Sequence, residues 1–178
     1  MFRTLTALAA VGALLVPAQP VHAAPSSAAV ASRPSLQDQA FLIAAHESHL
    51  FEIAGGRIAQ RRGLTQAVNA LGSRFIRDHT VMDRALTATA AELGVALPNQ
   101  PNAAQRARLA QYEEYDADRF DIVFVLTQLL GHQAAVADGK REVREGSDPR
   151  VIKLARDAAP TITAHHHQLI AARLALQP

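Results

Sequence analysis

Eight histidines stand in a chain of 178 residues that has no cysteine, so any metal chemistry here must run through imidazoles and carboxylates. Three histidines are consecutive, in "AHHHQ" at 164 to 168, and two flank "HESH" at 46 to 49. Another follows an aspartate in "RDHT" at 77 to 80, and another sits in "GHQAA" at 131 to 135. Imidazole with carboxylate suits zinc, copper(II) or iron. Only two methionines, one of them the initiator, argue against a soft copper(I) site. "HESH" is one residue short of the zinc-protease HExxH, and no E-x-x-H pair of the carboxylate di-iron bundles occurs. The absence of a Gly-rich phosphate loop, a G-x-S-x-G turn and a cysteine nucleophile removes the commoner enzyme readings and points away from an enzyme, with a redox catalyst whose turnover follows metal content as a third reading.

Whether these residues converge depends on the elements that carry them. Ser35, with Asp38 three residues on, is a capping box that opens a helix running to about Arg61, and Gly63 closes it. A second helix spans about Leu64 to Leu93 and stops at Gly94. "VALPNQPN" must be a loop because Pro98 and Pro101 cannot donate to regular hydrogen bonding. Asn102 caps a short polar helix to about Tyr115, and a long helix follows over about Ala117 to Glu145. Ser147 or Asp148, with Pro149 at the first helical position, starts the last helix, which runs to about Leu176 with Pro160 as an expected kink. Four long helices, with a short extra helix in the connection between the second and third, predict an all-α, ferritin-like four-helix bundle over 35–177.

Helical geometry turns each residue by 100° and so tests every candidate for its face. Histidines in a row cannot meet at one ion: His165 and His166 each lie about 50° from the inward stripe of their helix, and His167 points outward. Asp78 and His79 border the stripe of Leu71, Phe75, Met82 and Leu86. The first helix has one apolar face through Leu36, Ile43, Leu50, Ala54 and Ile58. It has a second seam of Phe41, Ala45, Ser48, Glu52, Gly55 or Gly56 and Ala59, whose small residues let another helix approach. Glu52 in that seam needs a partner, since an unpaired buried charge is costly. Asp121, Gln128 and His132 share a stripe, but Asp121 and His132 are about 16 Å apart along the axis.

Counting from the hairpin turns sets His79, His132 and His165 at similar heights, with His49 nearer that level than Glu52. The candidate metal site is therefore Glu52 or His49 with His79, His132 and His165, supported by Asp78 or Asp121, with His166 as an ambiguous neighbour. His46 and His167 read as solvated. The competing reading is that each of these residues is only a hydrogen-bonded polar group at the edge of a core.

The N-terminal "MFRTLTALAAVGALLVPAQPVHAAPSS" carries a positive charge, an apolar run, helix-breaking prolines and Val-His-Ala, which predicts a signal peptide at 1–23. Residues 24–34 read as a flexible leader. The apolar run is too short to span a membrane, and nothing later reads as long and apolar enough, so no integral membrane insertion is expected. A net charge of +2 without an aromatic-rich basic face gives no sign of a nucleic-acid partner.

The motifs "EIAGGRIA" (52–59), "FIRDHTVMDRAL" (75–86), "ELGVALP" (92–98), "RFD" (119–121), "GHQAA" (131–135) and "APTITAHH" (159–166), in this order, resemble the bacterial domain-of-unknown-function family DUF4142. The resemblance covers about Gln37 to Leu174. It implies a ferritin-like exported protein, of a kind often labelled as an outer membrane protein, with no settled activity. The family's Glu matches Glu52, its Asp-His pair Asp78 and His79, its Phe-Asp pair Phe120 and Asp121, and its two further histidines His132 and His165. The usual aromatic after the Phe-Asp pair is missing here, and His166 and His167 are added. The expectation is an exported protein, periplasmic or secreted, that binds a transition metal inside the bundle; the alternative is a metal-free structural or stress-related module of the envelope.

Overall fold

The computed structural model describes residues 33–177. The expected signal peptide, and the expected leader through residue 32, lie outside the described residues. Within them are five helices and no strand: α1 (Leu36–Arg62), α2 (Gln66–Glu92), α3 (Ala103–Glu114), α4 (Ala117–Glu145) and α5 (Pro149–Ala175).

Local chemistry sets the ends. The Ser35 hydroxyl accepts from the Asp38 N–H while the Asp38 carboxylate accepts from the Ser35 N–H, and Asn102 and Gln105 repeat this exchange at α3. The second helix begins two residues later than expected because Thr65 takes the cap, accepting from the Val68 N–H. Gly94 follows α2 at φ +66°, the left-handed conformation that glycine adopts freely. Asp148 caps α5 ahead of Pro149, and α5 continues without interruption through Pro160.

Helix α1 lies along α2 and α4 along α5, while α1 also meets α4, α2 meets α5, and α3 covers part of α1. This arrangement corrects one expectation. Leu36 is 83% exposed, and Ile43 and Leu50 are only half-buried. The buried residues of α1 run instead through Leu42, His49, Glu52, Gly56 and Ala59, beside the expected seam, whose Phe41, Ala45 and Ser48 are half-buried, while Ile58 of the first face is buried. On the other side of α1, α3 packs against it, with the Phe51 ring 6.2 Å from that of Tyr112.

Two buried aspartates tie the hairpins together. Asp38 of α1 accepts from the N–H of Ser147 (2.9 Å), its hydroxyl (2.6 Å) and the N–H of Asp148 (3.2 Å) in the α4–α5 turn. Asp121 of α4 accepts from the N–H groups of Leu64 (3.0 Å) and Thr65 (2.8 Å) and the Thr65 hydroxyl (2.6 Å) in the α1–α2 turn. Each turn's otherwise unpaired donors are thus satisfied by a carboxylate of the opposite hairpin. Burial pushes the Asp38 carboxyl up, but hydrogen bonds from Ser147 and Ser35 overcome it and hold it well below the usual carboxylate range.

Beside Asp38, Glu142 is fully buried and accepts from the Gln37 amide at 2.9 Å, while its Oε1 has no partner. Burial, with the negative Asp38 nearby, raises its carboxyl to about 7. The folded chain therefore keeps a proton that the unfolded chain loses near 4.5, so this group withdraws stability as pH rises from 4.5 towards 7. Glu142→Gln is expected to melt higher than the wild type at pH 8, with a smaller difference at pH 5, as read by circular dichroism at the two pH values.

Helix α4 departs from the expectation that nothing after the N-terminal run is long and apolar enough to span a membrane. It contains an 18-residue stretch of mean hydropathy 1.4, long and apolar enough by length and composition to cross a membrane. Its apolar residues go all round the helix: Phe120, Phe124 and Val125 face the core, while Ile122, Leu126 and Leu130 are exposed. The same helix buries Asp121, Gln128 and His132 inside the protein.

Candidate metal centre

Each of three long helices delivers one imidazole to a common point. His79 of α2, His132 of α4 and His165 of α5 are 2%, 1% and 0% exposed, and one ring nitrogen from each lies within 4.8 Å of the other two. Phe75, one turn before His79, closes one side of the group. Its ring stacks on His132 at 4.9 Å and packs against His165 at 4.9 Å and His79 at 5.9 Å.

The outer nitrogens are all taken. His132 Nδ1 lies 2.9 Å from the Gln128 carbonyl, and His165 Nε2 lies 3.0 Å from the Asp78 carboxylate. Both partners only accept, so these nitrogens carry the protons, and the neutral rings turn lone pairs inward from His132 Nε2 and His165 Nδ1. With these tautomers the two inner nitrogens lie 3.3 Å apart without a proton between them. The tautomers follow from the partners. His79 Nδ1 is 2.9 Å from His49 Nδ1, and its Nε2 is buried without a partner.

Mutual repulsion of lone pairs is relieved by a cation. Zinc–imidazole bonds of about 2.0–2.1 Å in tetrahedral array set neighbouring nitrogens about 3.3 Å apart, the separation found between His132 and His165. Protons do not compete for these sites at neutral pH. Burial pushes His49 and His132 down to about 4, His79 well below its ordinary value, and His165 down against the opposing pull of Asp78.

Glu52 of α1 approaches the group from the fourth helix, with Oε1 3.9 Å from His132 Nδ1 and Oε2 buried without a partner. Burial raises its carboxyl well above the usual range, so without an ion it is neutral. Of the residues read from the sequence, the structure thus brings His79, His132 and His165 together, with Glu52, His49 and Asp78 in the surrounding shell. Asp121 stays apart, at the α1–α2 turn. His166 is half-buried beside exposed His167, and neither joins the group.

His46 corrects the expectation of a solvated side chain. It is 7% exposed, with Nδ1 2.6 Å from Asp83 and Nε2 2.9 Å from the Pro98 carbonyl, and so anchors the loop after α2 to α1. Sequence reasoning also passed over Phe75 as part of the site, although its position one turn from His79 was a usable signal.

Asp78 is the outermost contributor, at 21% side-chain exposure and bound also by Arg77 at 2.8 Å. Its carboxylate fixes the His165 ring and adds negative charge, as carboxylates behind metal-binding histidines do. Asp78→Ala is expected to weaken metal binding by about 10–100-fold, as measured by competition with a chromophoric chelator.

A family described as a domain of unknown function (DUF4142) matches residues 23–172. No curated protein matches significantly. Among solved structures, the chain is similar to a DUF305 fragment from Deinococcus radiodurans at 17% identity and TM-score 0.69, over 80% of this chain and 98% of that one. It is also similar to CopM in a Cu(I)-bound form at 18% identity and TM-score 0.64, over 75% of this chain and 93% of that one.

Proposed function

The chain belongs to the DUF4142 family, and from that premise we propose that it is an exported, non-catalytic protein that binds one transition-metal ion through His79, His132 and His165. The observation that carries this reading is the convergence of His79, His132 and His165, with His132 Nε2 and His165 Nδ1 3.3 Å apart and His79 Nε2 buried without a partner. We read the helical arrangement as a ferritin-like four-helix bundle in which α3 occupies the α2–α4 connection. The N-terminal charge, apolar run and Val-His-Ala support a cleaved signal peptide and a periplasmic or secreted location.

Three imidazoles without sulfur fit zinc, copper or iron, and Glu52, whose Oε1 lies 3.9 Å from the outer His132 Nδ1, is the carboxylate that α1 brings beside the group. That CopM, a protein of similar fold, was captured with Cu(I) makes copper one of the ions to test. A bound ion would draw the three inner lone pairs to one centre, while Gln128, Asp78 and His49 hold the rings in place. Untagged protein purified from its native compartment should contain near-stoichiometric metal. Metal-free protein that neither binds nor is stabilised by added zinc, copper or iron would overturn the reading in favour of a metal-free structural module of the envelope.

The depressed histidines give this site a pH signature. Between about 6.5 and about 4 the unfolded chain takes up protons that folded His49 and His132 refuse, so metal-free stability falls as pH falls through this window. Glu52 and Glu142 oppose this slope, but the lowered histidines, which include His79 and His165, outnumber them. Zinc affinity held by the three lowered imidazoles is expected to fall less from about pH 7.5 to about 5.5 than that of a site of exposed histidines titrating near 6.5, whereas coordination by Glu52, which must give up its proton, would steepen the fall. Calorimetric titrations at the two pH values check this.

A further inference from the structure

Residues of all four long helices surround an opening that Phe75 does not line. A cavity of about 940 Å³ opens between them, lined at its inner end by His49, Glu52, His79 and His132. Small side chains from all four long helices form its walls, among them Ala45, Ala85, Ala135 and Ala158, together with Gly139. A Cβ built on Gly139 would meet no atom within 4 Å, so this wall faces open space. Packed interiors leave few voids larger than a water molecule, whereas small-molecule sites occupy about 300–1,000 Å³ and are mostly apolar.

The ends of this cavity differ. Near its outer reach Lys140, Arg141, Arg144 and Arg156 mix with Glu47, Asp138 and Asp157, while Arg141 already pairs with Asp138 at 3.0 Å and Arg144 with Glu145 at 3.5 Å. Such a mouth selects neither sign of charge. At the inner end Glu52 lines the cavity while only 2% exposed, and its Oε2 is closed off without a partner, so the carboxyl must turn toward an occupant's head to be satisfied by it.

We propose that this cavity is a binding site for an uncharged, largely apolar small molecule carrying one hydrogen-bonding head, with the apolar body between the alanine walls and the head at Glu52. The apolar body gains from leaving water, and the head fixes its direction. This goes beyond metal binding and does not require it.

The test uses N-phenyl-1-naphthylamine, an uncharged fluorescent probe with a single N–H, on the mature chain. One probe is expected per chain, with enhanced emission and a melting temperature that rises with probe concentration, which marks binding to the folded state. Gly139→Leu and Ala135→Leu, which fill the cavity, should each weaken binding at least tenfold. 1-Benzylnaphthalene, which lacks the N–H, should bind at least threefold more weakly than the amine. A probe that leaves the melting temperature unchanged, or that binds both variants as it binds the wild type, overturns the site; equal affinity of the two probes overturns the polar head. Zinc titration of the same samples separates the two readings, since Gly139→Leu should retain zinc affinity within twofold whether or not the probe binds.

Discussion

Replacing His132 with alanine is expected to weaken zinc binding by more than about 100-fold and to remove the rise in melting temperature that zinc gives the wild type. His132 is central to the group. It supplies one of the two facing lone pairs, stacks on Phe75 at 4.9 Å and stands beside Glu52. Without it, His165 Nδ1 and His79 Nε2 remain as two ligands with a void between them, and a lost ligand costs more than the 10–100-fold of a lost supporting contact. An ion that binds only the folded state stabilises it by about 2.7 kcal/mol at 100 times its dissociation constant. In His132→Ala that stabilisation should vanish while the metal-free protein still melts cooperatively, because a neutral, desolvated imidazole contributes little to folding beyond its packing. His167→Ala, in the same helix as His165 but exposed, should bind zinc as the wild type does. Thermal melts with and without zinc, alongside a chelator competition, read all of these outcomes.

The contrast between His165 and His167 was legible in the sequence because helical geometry is local: residues one and two positions apart must point to different sides. Matching His79, His132 and His165 in height was legible for a similar reason, since short hairpin turns fix the register of antiparallel helices. What escaped was anything set by the arrangement of helices around each other. Leu36 and Glu52 sit on apolar and mixed faces of one helix, and nothing in their spacing says that α2 and α4 cover the mixed face. His46 looks solvated until the α2–α3 loop brings Pro98 over it. Asp38 and Asp121 read as a cap and a metal support, yet each binds the turn of the other hairpin, a contact across 109 and 56 residues of sequence for Ser147 and Thr65 respectively. Long-range partners of this kind have no periodic signature. The inward lone pairs were hidden for the same reason, because tautomers depend on which nitrogen finds an outer acceptor.

The small residues of the α1 seam make the second large prediction. Gly56 and Gly72 face each other where α1 crosses α2: a Cβ on Gly56 would lie 2.6 Å from the Gly72 carbonyl oxygen and 3.0 Å from Ile76, and a Cβ on Gly72 would lie 2.7 Å from the Gly56 carbonyl oxygen. The clashing atoms are backbone, so no side-chain rotation relieves them, and the helices must separate. Alanine gains about 1 kcal/mol of helix propensity over glycine, but overpacking costs about 1–3 kcal/mol and more where the backbone must move. Gly56→Ala is therefore expected to destabilise by about 2 kcal/mol, a fall in melting temperature on the order of 5–10 °C, and Gly56→Val by more. Gly139→Ala is the matched control, a mid-helix glycine whose Cβ meets nothing, and it should melt higher than the wild type. Separation at the crossing also reaches the site. Gly56 lies two turns from His49, whose Nδ1 holds His79 at 2.9 Å, so Gly56→Ala should weaken zinc binding as well as folding, whereas Gly139→Ala should leave zinc affinity unchanged. A Gly56→Ala protein as stable as the wild type would mean that α1 and α2 are not held at this distance, and that the register bringing His49 to His79 has another origin.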